Sequence, residues 1–242
     1  MELVHGAGGV KGYAHIGVLK AIEKHKIKIG MVTGVSIGAL IAAFFSNGFC
    51  ASEIENILAS EGFMKEGGRT MQRWRTALTA LALHREGLAN LAPILEKVVR
   101  KYKLLPNKNL RIIAFNVRTM APVVFTGVDY NLATAMAASC SVPFVMEPVL
   151  NKMKSSSQRM AAKSEILVDG FLHHTHPSSF CKGPAIISKL GFASSLPSEL
   201  LPATEMLLHF AEQLNSPWLN WFYDDPPGRE HILVESGMSD VA

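Results

Sequence analysis

Ser36 has the residue spacing around it that chemistry would need. It sits in Gly34-Val35-Ser36-Ile37-Gly38, a Gly-x-Ser-x-Gly run. Met31-Val32-Thr33 before it is a short stretch of β-formers, and Ile37 to Phe45 after it is an apolar helical stretch that stops near Asn47-Gly48. Strand, tight turn and helix with serine at the apex is the context a nucleophile elbow requires. The turn strains the serine backbone, and a side chain at position 34 or 38 would collide with the neighbouring chain, which glycine avoids. At a helix N-terminus the serine also meets free N–H groups and a dipole that favour developing negative charge. The plainer reading is a glycine-lined turn ending a strand. The strand–turn–helix context favours a nucleophile.

A second glycine-rich run, Gly6-Ala7-Gly8-Gly9-Val10-Lys11-Gly12, follows the short strand Leu3-Val4. Loops of this kind between a strand and a helix turn backbone N–H groups toward an anion. A dinucleotide fingerprint would need a third glycine where Lys11 stands. A phosphate-binding Walker loop would need Gly-Lys followed by Ser or Thr, which is absent. An oxyanion hole gains weight from the elbow one helix and one strand further on. That interval fits a single βαβ unit, which brings both loops to the same carboxyl edge of a parallel sheet, where ligands bind.

The elements that must carry these loops follow from periodicity. Tyr13 to about His25 reads as a helix with Ile16, Leu19, Ala21 and Ile22 inward. Ser52-Glu53-Ile54-Glu55 reads as a capping box opening a helix to about Ser60. Thr70 to His84 is an amphipathic helix with Trp74 on its apolar side and Arg69, Arg73, Arg75 and Arg85 nearby. Such a helix packs on a core or lies at a membrane interface, and the ordinary amphipathic pattern favours the core. Asn90 and Asn131 cap helices ending near Tyr102 and Ser139, with a strand pair between them over Leu110 to Val117 and Val123 to Phe125. Val149-Leu150 and Glu165 to Val168 are strands, and Asp169-Gly170 stands at the end of the second. The polar run from Asn151 to Ser164, with Lys152, Lys154, Arg159 and Lys163, is a surface loop. Pro184 to Ser188 and His231 to Val234 are further strands, Ala203 to Leu214 is a helix, and Pro217 to Gly228 is an aromatic loop.

Composition agrees with one folded α/β domain over residues 1–242. Hydrophobic residues make up 48% and charged residues 18%, which excludes a disordered chain. Twenty-four Lys and Arg against 20 Asp and Glu give a net charge of +4, too mild to argue for nucleic acid but compatible with an anionic membrane surface. Cys50, Cys140 and Cys181 form neither a disulfide framework nor a zinc spacing, so a reducing, cytoplasmic setting is expected. No signal-peptide pattern is evident at the N-terminus. No charge-free run reaches the ~18–20 residues a spanning helix needs.

Taken together, Gly8-Gly9-Val10-Lys11-Gly12, Ser36 within Gly-Val-Ser-Ile-Gly, and Asp169-Gly170 after a strand resemble the patatin-like phospholipases. The resemblance extends to Ala14-His15-Ile16-Gly17-Val18-Leu19 and to Ala138-Ser139-Cys140-Ser141-Val142-Pro143. It covers roughly residues 3–190. It implies a three-layer α/β/α patatin-like fold with a mostly parallel central sheet, and a lipid acyl hydrolase of phospholipase A or lysophospholipase type. Ser36 would be the nucleophile and Asp169 the base of a Ser–Asp dyad. The backbone amides of Gly8, Gly9 and Val10 would form the oxyanion hole, with Lys11, Gly12, Gly34, Gly38 and Gly170 supporting the motifs. No metal or cofactor is implied. The substrate would be a phospholipid or other acyl ester met at a peripheral membrane surface, through the Arg69–Arg85 and Lys152–Lys163 segments.

Two departures stand out. Phe171 follows Gly170 where the family commonly has Gly or Ala, which bears on substrate range. His173-His174-Thr175-His176-Pro177 replaces an Asn-rich stretch, and with no acidic ligand nearby it reads as a solvated loop rather than a metal site. Two other classes compete. An α/β-hydrolase triad would use Ser36, Asp169 and one of His173, His174, His176, His209 or His231, but that fold places several strands before the elbow. A non-catalytic lipid-binding module would have no use for an intact Ser36 and Asp169.

Overall fold

The computed structural model describes residues 1–61, 90–143, 146–151, 164–172, 177–190 and 231–235. The segments with Trp74 and Arg69–Arg85, Lys152–Lys163, His173, His174 and His176, the helix expected over 203–214 and the aromatic loop at 217–228 lie outside these residues.

The order begins with β1 (Glu2–His5), a 3-10 turn (Gly9–Tyr13), α1 (Ala14–Lys24), β2 (Met31–Val35), α2 (Ile37–Ser46) and α3 (Ala51–Ser60). Then come α4 (Ala92–Tyr102), β3 (Leu110–Asn116), β4 (Ala121–Thr126), α5 (Leu132–Ser139), β5 (Val149–Asn151) and β6 (Glu165–Asp169). Two 3-10 turns (Gly170–Leu172 and Pro177–Phe180), β7 (Ala185–Lys189) and β8 (His231–Glu235) complete the described elements. The sheet runs β5-β6-β3-β2-β1-β7-β8, with β4 also on β3. Pairs β1–β2, β2–β3, β1–β7 and β7–β8 are parallel, whereas β4 and β6 run antiparallel to β3 and β5 antiparallel to β6. The fold is therefore α/β on a mixed, mostly parallel sheet, as expected.

Strand alternation divides the apolar residues between the two faces. Leu3, Val32, Leu110, Ile112 and Ile186 face a single core with residues of all five described helices, including Ile16, Phe44, Leu58, Leu95 and Met136. On the opposite face Val4 and Ile187 pack with Cys181, and Val35 and Ile113 pack with Ala7, Phe171 and Phe180. Helix α2 is buried on every side from Gly38 to Phe44, as a helix that is hydrophobic all round must be.

Two local expectations shift. The box that opens α3 is Cys50 with Glu53, two residues earlier than Ser52 with Glu55, and the Cys50 amide donates to Glu53 Oε2 at 2.8 Å. A tertiary bond moves the start, because the Ala51 amide donates to Glu23 Oε1 at 2.7 Å. Ala21 is exposed, since Ile16, Val18, Leu19 and Ile22 define the buried stripe of α1.

Candidate active site

Strand β3 brings the site together. β4 pairs along it from Arg111 to Asn116, leaving its other edge to be shared by β2 and β6. β2 runs up that edge and ends with Val35 opposite Ile113. β6 runs down it and ends with Asp169 opposite Ala114. The two strands thus meet head to head, and Ser36 and Asp169 emerge at adjacent registers.

Ser36 has φ 56° and ψ −129°, a left-handed conformation that side chains rarely adopt. The surrounding glycines make the turn possible. A Cβ on Gly34 would strike the backbone of Gly38 and Ala39, and one on Gly38 would strike the carbonyls of His5 and Gly6. Ser36 is itself buried, and its side chain stands near enough to Asp169 to draw the carboxyl's pKa down.

Asp169 is 1% exposed. Burial raises its pKa to about 7, against the opposing pull of hydrogen bonds from the Phe171 amide, 2.9 Å from Oδ1, and from Ser36. Loss of water penalises the charged carboxylate more than two donors reward it. Of the histidines whose side chains are described, His5, His15 and His25, none is hydrogen-bonded to Ser36 or Asp169. Gly170 lies so close to the Ile113 carbonyl that a Cβ there would collide with it.

The glycine loop seats on the first turn of the serine's helix. Gly12 lies hard against the Ile37 side chain, and the Gly6 carbonyl against Gly38. Gly8 accepts from the Lys11 amide at 3.0 Å and lies against Leu190. Gly9 has φ +53° with open space where a Cβ would be, so its glycine is required by backbone conformation rather than by crowding. Val10, Lys11 and Gly12 continue in the 3-10 turn.

His15, quoted from the sequence only as part of a motif, turns out to hold this loop. Its Nε2 lies 2.9 Å from the Gly6 carbonyl and must donate, since a carbonyl only accepts. Nδ1 then accepts from the Ser188 hydroxyl at 2.6 Å. Burial lowers the His15 pKa to about 4, outweighing the Gly6 bond, so the ring stays neutral. The apolar helix pattern gave one sequence signal for it: a histidine on the buried stripe needs partners.

Beyond geometry, a profile of the patatin-like phospholipases matches residues 3–178. The chain belongs to the patatin-like phospholipase family. Lipid-ester hydrolysis is the activity for which that family is named. The uncharacterized protein YqhO of Bacillus subtilis is 27% identical to this patatin-like chain over 173 residues, 64% of this chain and 59% of YqhO. The lysophospholipase NTE1 of Coccidioides immitis is 41% identical over 76 residues, 31% of this chain and 4% of that protein. The crystal structure of VipD from Legionella pneumophila aligns with all of this chain and 62% of its own, at 12% identity and a TM-score of 0.49. This patatin-like chain therefore spans less than two thirds of each of these proteins.

Proposed function

We propose that the chain hydrolyses acyl esters of lipids, of phospholipase A or lysophospholipase type, with Ser36 as nucleophile and Asp169 as its base. The observation that carries this reading is the buried Asp169 carboxyl, its pKa raised to about 7 by burial, set at the register next to a serine held on a strained elbow. A serine hydroxyl needs an adjacent base, and a carboxylate near its ordinary pKa would be too weak. Asp169 takes the Ser36 proton as Oγ attacks the ester carbonyl. It then passes that proton to the leaving alcohol, and afterwards activates the water that releases the fatty acid.

The Ser36 amide is already committed to a neighbouring hydroxyl, Ser139 Oγ at 2.9 Å, so it is not free to stabilise the oxyanion. The amides of Gly8, Gly9 and Val10 take that role, and a single such donor typically contributes ~10²–10³ in turnover. Substrate is drawn from a membrane surface. Among the described residues no helix is long and apolar enough to cross a membrane.

The test is a panel of phospholipids, lysophospholipids and neutral glycerides presented to wild type and to Ser36→Ala. Fatty acid release from at least one class, absent in the variant, is expected. Lipid binding with no release from any class would favour a non-catalytic binding module.

The elevated pKa makes a separate pH prediction. Only the carboxylate form can act as base, so kcat/KM on a soluble ester should fall tenfold per unit below about 7 and level off above it. Stability runs the other way. The unfolded chain releases this proton near 3.8 and the folded chain holds it to about 7, so the folded state binds more protons between those values. Stability should be highest at the low end of that window and decline as pH rises through it. Asp169→Asn should flatten this decline in urea midpoints measured from pH 5 to 8.

A further inference from the structure

The Ser139-Cys140-Ser141 turn at the end of α5, which the chemistry above leaves unused, touches both halves of the proposed dyad. Ser139 is fully buried. Its Oγ accepts the Ser36 N–H at 2.9 Å and donates to the Ile113 carbonyl at 2.6 Å. Both directions are forced, because an amide only donates and a carbonyl only accepts. Burial together with the Asp169 charge holds the Cys140 thiol protonated, against an opposing pull from Ser36. The Ser141 carbonyl accepts the Asp169 N–H at 2.9 Å.

These bonds fall at the gap in the sheet where β2 has ended opposite Ile113 and β6 has ended opposite Ala114. Neither strand continues the ladder there. The Ser139 hydroxyl bridges across it, from the nucleophile's amide to the β3 carbonyl behind which Gly170 is packed.

We propose that Ser139 is a positioning residue for the nucleophile. Its hydroxyl pins the strained Ser36 backbone to β3 and so sets the alignment of Ser36 Oγ with Asp169. The inference rests on the Ser36–Asp169 reading. The turn that carries the pin is itself rigid. The Cys140 amide bonds back to Met136 and Ala137, and the Ser141 hydroxyl donates to the Ala137 carbonyl at 2.8 Å. Without the hydroxyl, a buried N–H and a buried C=O lose their partner at the residue with most strain to release. Ser36 should relax away from its productive conformation, and a displacement of about 1 Å at a reacting group can cost ~10²-fold.

The experiment compares Ser139→Ala, Ser139→Thr and Asn131→Ala on a soluble chromogenic ester, with Tm and the rate of fluorophosphonate labelling of Ser36. Ser139→Ala should lower kcat by about 10- to 100-fold with little change in KM, and slow labelling by the same factor. Ser139→Thr keeps the hydroxyl and should recover most of the loss. Asn131 caps the same helix through the Thr134 amide at 2.9 Å and lies outside the site. Its alanine variant should lower Tm comparably and leave kcat within about twofold. Should Ser139→Ala fail to fold, Ser139→Cys, similar in size with a poor donor, is read in the same way. Wild-type kcat in Ser139→Ala, or an equal kcat loss in Asn131→Ala at a matched Tm shift, would overturn the proposal. Ser36→Ala run in parallel separates the two readings. Near-wild-type hydrolysis there overturns the dyad and this inference with it. A dead Ser36→Ala beside a fully active Ser139→Ala overturns this inference alone.

Discussion

Ser36→Ala and Asp169→Asn should each lower turnover of a soluble ester by on the order of 10⁴-fold or more, and the double variant should be no worse than either alone. Nucleophile and base act on one proton, so removing the second after the first is gone removes nothing further. The two variants should differ in stability. Ser36→Ala removes a hydroxyl that draws the Asp169 pKa down, so the buried carboxylate it leaves behind is less well supported. Asp169→Asn replaces a buried acid by a neutral group of the same shape, which can still accept from the Phe171 amide. It removes the cost of ionising a desolvated carboxylate, so above pH 7 it should be more stable than wild type, the usual trade between activity and stability. Burst kinetics and urea midpoints at pH 8 check both halves. Near-normal turnover in Asp169→Asn, with loss in a variant of His231 or of another downstream histidine, would replace the dyad by a triad.

Both members of the proposed pair are singled out by the sequence, for different reasons. Ser36 is marked by local geometry, because only glycines at 34 and 38 let a strand turn so sharply into a helix, and that constraint is written within five residues. Asp169 is marked only by standing at a strand end before glycine, and its role came from resemblance to a family whose profile the chain does match. The sequence did not reveal why the two meet. Periodicity locates strands but carries no direction or register, and the head-to-head ending of β2 and β6 along one edge of β3 is a tertiary fact. Ser139 was hidden for the same reason. Its partners, Ser36 and Ile113, are remote in the chain, and nothing near position 139 announces them.

The helix boundaries show the same division between local and distant causes. Asn131 was legible as a cap because it bonds the Thr134 amide three residues on. The start of α3 was misplaced because Ser52-x-x-Glu55 and Cys50-x-x-Glu53 both satisfy the capping spacing, and Glu23 from α1 decides between them. His15 shows what burial adds. Its position on the apolar stripe was readable, but its two partners, the Gly6 carbonyl and the Ser188 hydroxyl, come from the glycine loop and from β7.

Gly38→Ala is expected to damage folding and turnover together. The added methyl would land on the carbonyls of His5 and Gly6, and neither side of that contact can yield cheaply. β1 is held between β2 and β7, and the Gly6 amide donates to the Ser188 carbonyl at 3.0 Å while its own carbonyl takes the His15 bond. Helix α2 is buried all round and cannot slide away. Overpacking between two such fixed backbones should cost about 3 kcal/mol. Whatever movement relieves it must shift Gly6, and with it the loop that would carry the oxyanion donors, so kcat should fall by about 10²-fold or more even in the folded fraction. Gly17→Ala is the matched comparison. Gly17 is exposed on α1 with nothing within 4 Å of a Cβ, so alanine there should stabilise by about 0.5–1 kcal/mol and leave turnover alone. Urea unfolding and ester turnover on the pair decide the matter. A Gly38→Ala protein with wild-type midpoint and kcat would mean that the glycine loop does not rest on the nucleophile's helix, and the oxyanion donors would have to be sought elsewhere.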